Sequence, residues 1–431
     1  MHIAIIGSGI SGLAAAWLLG SRHEVTLYEA DHRLGGHTNT VDVTLDGISH
    51  PVDTGFLVFN RHTYPHLCAL FAYLGVESVA TDMSFAVSLT KPRLEWAGSN
   101  LATLFAQPAN LARPGFWRML QDILRFNRET AQIDGTAPEI SLGVYLDARG
   151  YSREFRDWYL LPMAAAIWSC PAQQMLDYPL LSFVRFCRNH GLLQVFDRPQ
   201  WQTVKGGART YVQRMARDIA DIRLATPISR VVRDDSGVLV QQAAGAERYD
   251  AVVFACHSDQ TLKLLGEGAS DEERRVLSAV TYQANRAVLH TDPALLPRRK
   301  AVWSAWNYMA GDVSAAGQGA VSVSYLLNRL QPLPFKQPVI VSLNPLREPA
   351  REQVIAEFDY GHPVFDVDSA LAQSALAGVQ GRRHAWFCGA WTGHGFHEDG
   401  LRSALVVANA LGVQAPWQGA QESQDPFKAA A

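Results

Sequence analysis

The chain has 431 residues, 48% of them hydrophobic and 18% charged, with a formal net charge of −3. That length exceeds what one hydrophobic core usually serves, and the apolar content excludes a disordered chain, so two domains are expected. The slight acidic balance excludes a nucleic-acid partner held through phosphate contacts.

Residues 2–6 (HIAII) form a short apolar run suited to a buried parallel strand. The turn Gly7-Ser8-Gly9-Ile10-Ser11-Gly12 follows, then a strong helix former over 13–19, then a second strand over 24–28 that ends at Glu29. This is the order of a dinucleotide-binding unit. Gly7 permits the tight turn, Gly9 lets the backbone approach a pyrophosphate, and Gly12 lets the helix lie close on the strand. The turn, with Ser11, presents unpaired N–H groups and a positive dipole end to the phosphates. Glu29, seventeen residues after Gly12, is placed to accept hydrogen bonds from the adenosine ribose. With the motif beginning at residue 7, no signal peptide is expected.

A hairpin is expected over 39–52, turning at Asp46-Gly47. Asp53-Thr54-Gly55 comes next, then a helix over 64–74 stopped by Gly75. From about residue 82 the texture changes. Strands at 85–90 and 94–96 precede a long helical region over 101–190, the start of a second domain inserted into the first. Its segment 116–128 has apolar residues at helical spacing flanked by Arg113, Arg118, Arg125 and Arg128. It reads as an ordinary domain helix, or as a basic helix resting on an anionic membrane. The apolar stretch 159–171 is too short to span a bilayer and reads as core or as the lining of an apolar cavity.

Lys205-Gly206-Gly207 is a second glycine pair ahead of an amphipathic helix to about residue 219. A buried strand over 249–257 follows. Residues 260–375 complete the second domain, with strands at 286–290, 321–326 and 339–343. Trp303, Trp306, Asn307, Tyr308 and His362 are its notable aromatic and polar groups. The last anchor is Phe387-Cys388-Gly389, then a loop to Asp399-Gly400 and a helix over 401–411. A helix start there presents unpaired amides, at Gly400 and Leu401, to negative charge. Five cysteines (Cys68, Cys170, Cys187, Cys256, Cys388) show no CxxC and no metal-like cluster, so reduced thiols, a cytoplasmic setting and no metal site are expected. A single GxGxxG argues against a separate nicotinamide-binding unit.

The run Glu29-Ala30-Asp31-His32-Arg33-Leu34-Gly35-Gly36 resembles the signature of the flavin-containing amine oxidase superfamily, which includes protoporphyrinogen oxidases and phytoene desaturases. The stretches around Gly35 and Gly400 look most like a bacterial branch of predicted NAD/FAD-binding proteins. The resemblance implies an α/β fold: a Rossmann-like FAD-binding domain of the GR2 type with an inserted α+β substrate domain. It implies FAD as cofactor, held by Gly7, Gly9, Ser11, Gly12, Glu29, Ala30, Arg33, Gly35, Gly36, Gly389, Gly400 and Leu401. Gly55 would lie near the isoalloxazine ring and the Val231 backbone would meet the adenine. Two positions depart from the pattern: His37 replaces a common arginine after the glycine pair, and Ala390 replaces an acid after Gly389.

The expected organisation is an FAD domain at 1–81, 200–260 and 376–416, a substrate domain at 82–199 and 261–375, and a flexible tail at 417–431. The expected activity is an FAD-dependent oxidoreductase taking a hydride from an apolar substrate, a fatty-acyl lipid among the candidates, with oxygen or a quinone as electron acceptor. His397 and Tyr308 are the candidate catalytic groups. A cytoplasmic protein, peripheral to the inner face of the membrane, fits this reading. Two alternatives stand beside it. One is a flavin amine oxidase, with Trp391 and Phe396 as rings facing the flavin; Lys205, in the second glycine pair, is expected to have a backbone role there. The other is a non-catalytic FAD-binding partner of a lipid-modifying enzyme.

Overall fold

The computed structural model describes residues 1–133, 140–168, 172–194, 198–313 and 319–418. Its organising element is a five-stranded parallel sheet in the order Asp221–Arg223, Glu24–Tyr28, His2–Ile6, Ala251–Phe254, Ala385–Phe387. The alternation of strand side chains explains why its strands are apolar throughout. Ile3, Ile5, Val25, Leu27 and Val253 face one way, packing with Leu13 of the helix Ile10–Leu19 and with Leu401 and Leu405 of the helix His397–Ala410. Ala4, Ile6, Tyr28, Val252, Phe254 and Phe387 face the other way. There they meet the three-stranded meander Ile228–Asp234, Gly237–Gln242, Gly245–Tyr249 and the helices Ser258–Leu265 and Asp271–Ser278.

A second, seven-stranded sheet runs in the order Val354–Val364, Thr281–His290, Ile340–Leu343, Gly319–Leu326, Trp306–Val313, Phe85–Leu89, Leu94–Ala97. It joins strands far apart in sequence, and only Trp306–Val313 against Phe85–Leu89 is parallel. Helices between residues 101 and 189 form a separate apolar cluster around Phe126, Phe155, Trp168 and Phe183. The helix Pro114–Thr130 buries Phe116, Met119 and Phe126 at helical spacing. Two of its three arginines are engaged within the fold: Arg118 pairs with Glu154 at 3.0 Å, and Arg125 pairs with Asp122 at 3.3 Å and lies over the Tyr151 ring.

Local signals produce local structure as expected. The hairpin Thr40–Leu45 and Ile48–Asp53 turns on Asp46 (φ 53°) and Gly47 (φ 79°), both left-handed, the geometry a two-residue hairpin loop requires. Gly75 ends the helix Pro65–Leu74 at φ 68°. The second glycine pair sits against that hairpin rather than on the cavity. A side chain at Gly207 would meet Thr40 Cγ2 at 2.7 Å, and the next amide, Ala208 N–H, donates to the buried Asp53 carboxylate. Trp417, the first residue of the expected tail, stacks on Trp17 at 6.2 Å; residues 419–431 lie outside the described residues, as does Cys170. Among the described residues no helix is long and apolar enough to cross a membrane.

Candidate functional site

The glycine turn folds as its residue types dictate. Gly7 has φ 101°, and its amide donates to the Tyr28 carbonyl at 2.8 Å, tying the turn to the second strand. A Cβ on Gly12 would lie 1.8 Å from the Gly7 carbonyl oxygen, so only glycine lets the helix lie this close. Gly9, the residue before the helix, has nothing within 4 Å of its Cβ direction. The Glu29 carboxylate reaches across the turn and accepts from Ser8 N (2.9 Å), Ser8 Oγ (2.5 Å) and Asp31 N (2.9 Å). Gly35 N–H then donates to the Ser8 carbonyl, and Gly36 packs on Gly9 with its Cβ direction 3.1 Å from Gly9 Cα. Gly35 and Gly36 are therefore stitched directly onto the first turn.

A cavity of about 870 Å³ opens from this turn. Of the residues expected to hold a cofactor, Gly7, Gly9, Ser11, Glu29, Ala30, Gly35, Gly36, Gly55 and Gly389 line it, as does His397. Six expected residues do not. Gly12 acts from behind, by permitting the close helix. Arg33 turns to Asp31 (3.4 Å) and the Thr38 carbonyl. Val231 points into the core beneath the meander; the same segment meets the cavity earlier, at Thr226–Ser229, before a register shift between Ile228 and Arg230. Tyr308 is buried in the core of the seven-stranded sheet, where its neighbour across the strand pair is Val323.

The terminal motif places the other two. The helix starts at His397, four residues before Leu401, because Asp399 caps it: its carboxylate accepts from His394 N (3.0 Å) and Phe396 N (3.1 Å). Gly400 N–H is already bonded to the Phe396 carbonyl, and Leu401 is fully buried core. The amides without a helical partner are those of His397, Glu398 and Asp399. Gly400 serves packing: a Cβ there would strike Ser11 Oγ at 2.8 Å and Ile10 Cγ2 at 2.9 Å. The His397 ring stacks on Phe56 (3.7 Å, 17°), and its Nε2 lies 2.9 Å from Thr38 Oγ1 and 3.2 Å from Tyr211 OH.

The sequence profile of the family described as flavin containing amine oxidoreductase matches residues 10–300. This chain belongs to that family. That family is one of flavin-containing oxidoreductases. A carotenoid phi-ring synthase from Streptomyces griseus is 29% identical over 328 residues, covering 69% of this chain and 59% of that protein. The chain thus spans less than two thirds of that relative's length. An L-amino-acid oxidase from Notechis scutatus scutatus is 50% identical over 40 residues, which is 9% of this chain and 8% of the relative. Among solved structures, cyclohexylamine oxidase from Brevibacterium oxydans superposes with a TM-score of 0.69 at 17% identity, covering 95% of this chain and 99% of that one. The CLA-producing fatty acid isomerase from P. acnes gives 0.63 at 16%, covering 94% and 98%. These establish the shared fold.

The residues of this flavoprotein fit FAD. Gly9 presents backbone to open cavity, the helix start behind it offers unpaired amides, and Glu29 supplies an acceptor at the end of the second strand. Among the described lining residues the charged side chains are Glu29 and Lys263 alone, whereas six histidines line the cavity. Burial holds His190 and His362 down to about 4 and His397 down to about 3, so these rings are neutral near pH 7. The loop carrying Gly55 is fixed by a buried relay: Asn39 Nδ2 donates to Tyr360 OH, and Tyr360 OH donates to Thr54 Oγ1, each at 3.0 Å. A Tyr360→Phe change leaves Asn39 unpaired and is expected to cost about 2 kcal/mol, read as a lower urea midpoint of the flavin-loaded protein.

Proposed function

We propose that this oxidoreductase acts on an uncharged, apolar substrate, with oxygen or a quinone taking the electrons onward. The observation that carries this is the absence of charge from the far half of the cavity. Its described walls there are Leu57, Val58, Met83, Ile167, Trp168, Phe186, Trp306, Tyr325 and Phe365. Glu29 and Lys263 both lie toward the nucleotide end, beside the glycine turn and the Thr226–Ser229 segment. A cationic or zwitterionic substrate buried against such walls would keep an unpaired charge, which is costly.

FAD, when bound, supplies the two-electron acceptor for hydride leaving a substrate carbon. The chain's own share is to bind, orient and exclude water. Gly7, Gly9 and Ser11 would hold the diphosphate by backbone amides, Glu29 the ribose, and Thr226–Ser229 the adenine. The amide end of the helix His397–Ala410 stabilises negative charge near it. His397, clamped by Phe56, Thr38 and Tyr211, offers a neutral imidazole edge to the cavity. The name of the Streptomyces griseus relative, a carotenoid phi-ring synthase, supports an apolar substrate class. Lys205 is on the surface, paired with Glu77 at 2.7 Å, and gives the amine oxidase alternative no support.

The test is anaerobic mixing of the purified yellow protein with two panels, neutral polyenes and fatty-acyl lipids against primary amines and amino acids. Bleaching of the visible flavin band by a neutral apolar compound is expected. Bleaching by amines alone would overturn the assignment.

A further inference from the structure

Among the described residues that line the cavity, where the cofactor's diphosphate would sit, there is no arginine. The sequence pattern puts a common arginine after Gly36; here His37 stands there, and Arg33 is turned to Asp31 and the Thr38 carbonyl. His37 is held beside the turn from both sides. Gly36 lies on Gly9, and a side chain at Gly55 would meet the His37 carbonyl oxygen at 2.1 Å. His37 lines the cavity, yet neither ring nitrogen has a hydrogen-bond partner among the described residues; Nε2 is shielded completely, which leaves Nδ1 as the nitrogen a ligand could reach. An unpartnered polar group in such a place is costly in the free protein unless a ligand completes it.

Its neighbours decide which ring can gain a proton. Tyr360 is stacked at 5.0 Å and the His362 ring lies 5.1 Å away; His257, His397 and Arg33 also face it. His362 is fixed neutral by a relay of side-chain amides. Arg286 N–H donates to Asn344 Oδ1, Asn344 Nδ2 donates to Asn285 Oδ1, and Asn285 Nδ2 donates to His362 Nδ1 at 2.9 Å. That last donor occupies the nitrogen a second proton would need, leaving His362 with its proton on Nε2. Asn344 is held in a left-handed conformation (φ 46°) to close the relay. His397 Nε2 is likewise occupied by the Thr38 and Tyr211 hydroxyls. His37 alone of these rings has both nitrogens free.

We propose that His37 is the cation for the cofactor's diphosphate, neutral in the empty site and protonated in the loaded one, so that FAD binding takes up one proton from solvent. The direction follows from charge. Burial and the surrounding histidines and Arg33 keep His37 well below its ordinary value in the empty site, and an adjacent diphosphate favours the charged ring. Affinity therefore rises as pH falls.

The proposal rests on FAD as the cofactor and on no particular substrate. The measurement is the FAD dissociation constant of the full-length holoprotein across about pH 6 to 8, from the fluorescence of flavin released on dilution. In the parent protein the constant is expected to rise roughly tenfold per pH unit within that range. His37→Arg should bind tightly with a flat profile, and His37→Gln weakly with a flat profile. The buried Glu398, which titrates near 7, accepts from His66 and Leu67 amides; its protonation would loosen the site at low pH, the opposite sign. A flat profile in the parent protein, or a slope that survives in His37→Arg, overturns the proposal. A preparation without flavin would instead refute the cofactor assignment itself.

Discussion

Gly12→Ala is expected to cost at least about 3 kcal/mol and to release the flavin, because the new methyl group falls 1.8 Å from a backbone oxygen. Overpacking of this kind is tolerable when a flexible side chain can yield. Here the obstacles are the Gly7 carbonyl and, at 3.1 Å, Ala255 Cβ at the end of the adjoining strand. Only a shift of the whole helix Ile10–Leu19 off the sheet relieves the contact. That shift would also part the helix from His397–Ala410, which Gly400 brings against Ser11 and Ile10. Against a net stability of about 5–15 kcal/mol the loss is large. Gly9→Ala is the matched control. Its φ of −61° suits alanine, and the methyl group meets nothing within 4 Å. The protein should fold with near-parental stability and hold FAD poorly, because the methyl group occupies space meant for the cofactor. Urea unfolding of both variants, with flavin retained per chain as the second readout, checks the pair. Equal behaviour of the two would show that the glycines do not divide the work in this way.

The contrast shows which parts of the site are legible in a sequence. Gly7, Gly9, Gly12 and Glu29 act within one strand–turn–helix–strand unit, so their spacing encodes their positions. The same holds for the Asp46-Gly47 hairpin and for Gly75 as a helix stop. Residues whose role depends on register were misplaced. The Val231 backbone was expected at the adenine; its side chain lies in the core, and the part of this segment that lines the cavity is Thr226–Ser229, across the register shift between Ile228 and Arg230. The helix was expected to begin at Leu401, directly after Asp399-Gly400. The decisive signal was Asp399 three residues after Phe396, a cap that sets the start at His397 and leaves Gly400 to allow close packing. Tyr308 carried no periodic signal, since its burial depends on a strand pairing with Val323. The His37–His362–Asn285–Asn344 relay was illegible for a different reason. Its members come from four segments, joined only when the glycine motif meets the far edge of the seven-stranded sheet.

Acidification is expected to destabilise this protein below about pH 6.5, and more steeply without flavin than with it. His190 and His290 are held down to about 4 and His397 to about 3, each chiefly by burial, and His394 is lowered by the same cause. Unfolded, each titrates near 6.5, so the unfolded chain binds protons that the native chain refuses, and stability falls as pH falls. Two buried carboxyls act the other way. Burial raises Asp53 to about 6 and Glu398 to about 7, so the native state binds their protons first and gains stability on acidification from about 7 toward 4. With His362 also held down to about 4, the histidines His190, His290, His362 and His397 against two carboxyls leave about two protons in favour of the unfolded chain, or about 3 kcal/mol per pH unit at roughly 1.4 kcal/mol per proton. The flavin-free protein adds His37, lowered in the empty site, and its slope should be steeper by up to one proton, roughly 1.4 kcal/mol per pH unit. Urea midpoints taken through the weakly acidic range, with and without saturating FAD, read this directly. Equal slopes in the two forms would mean that the cofactor leaves the histidines around the glycine turn as it found them, whereas a shallower slope with flavin is what a diphosphate holding one of those rings protonated must produce.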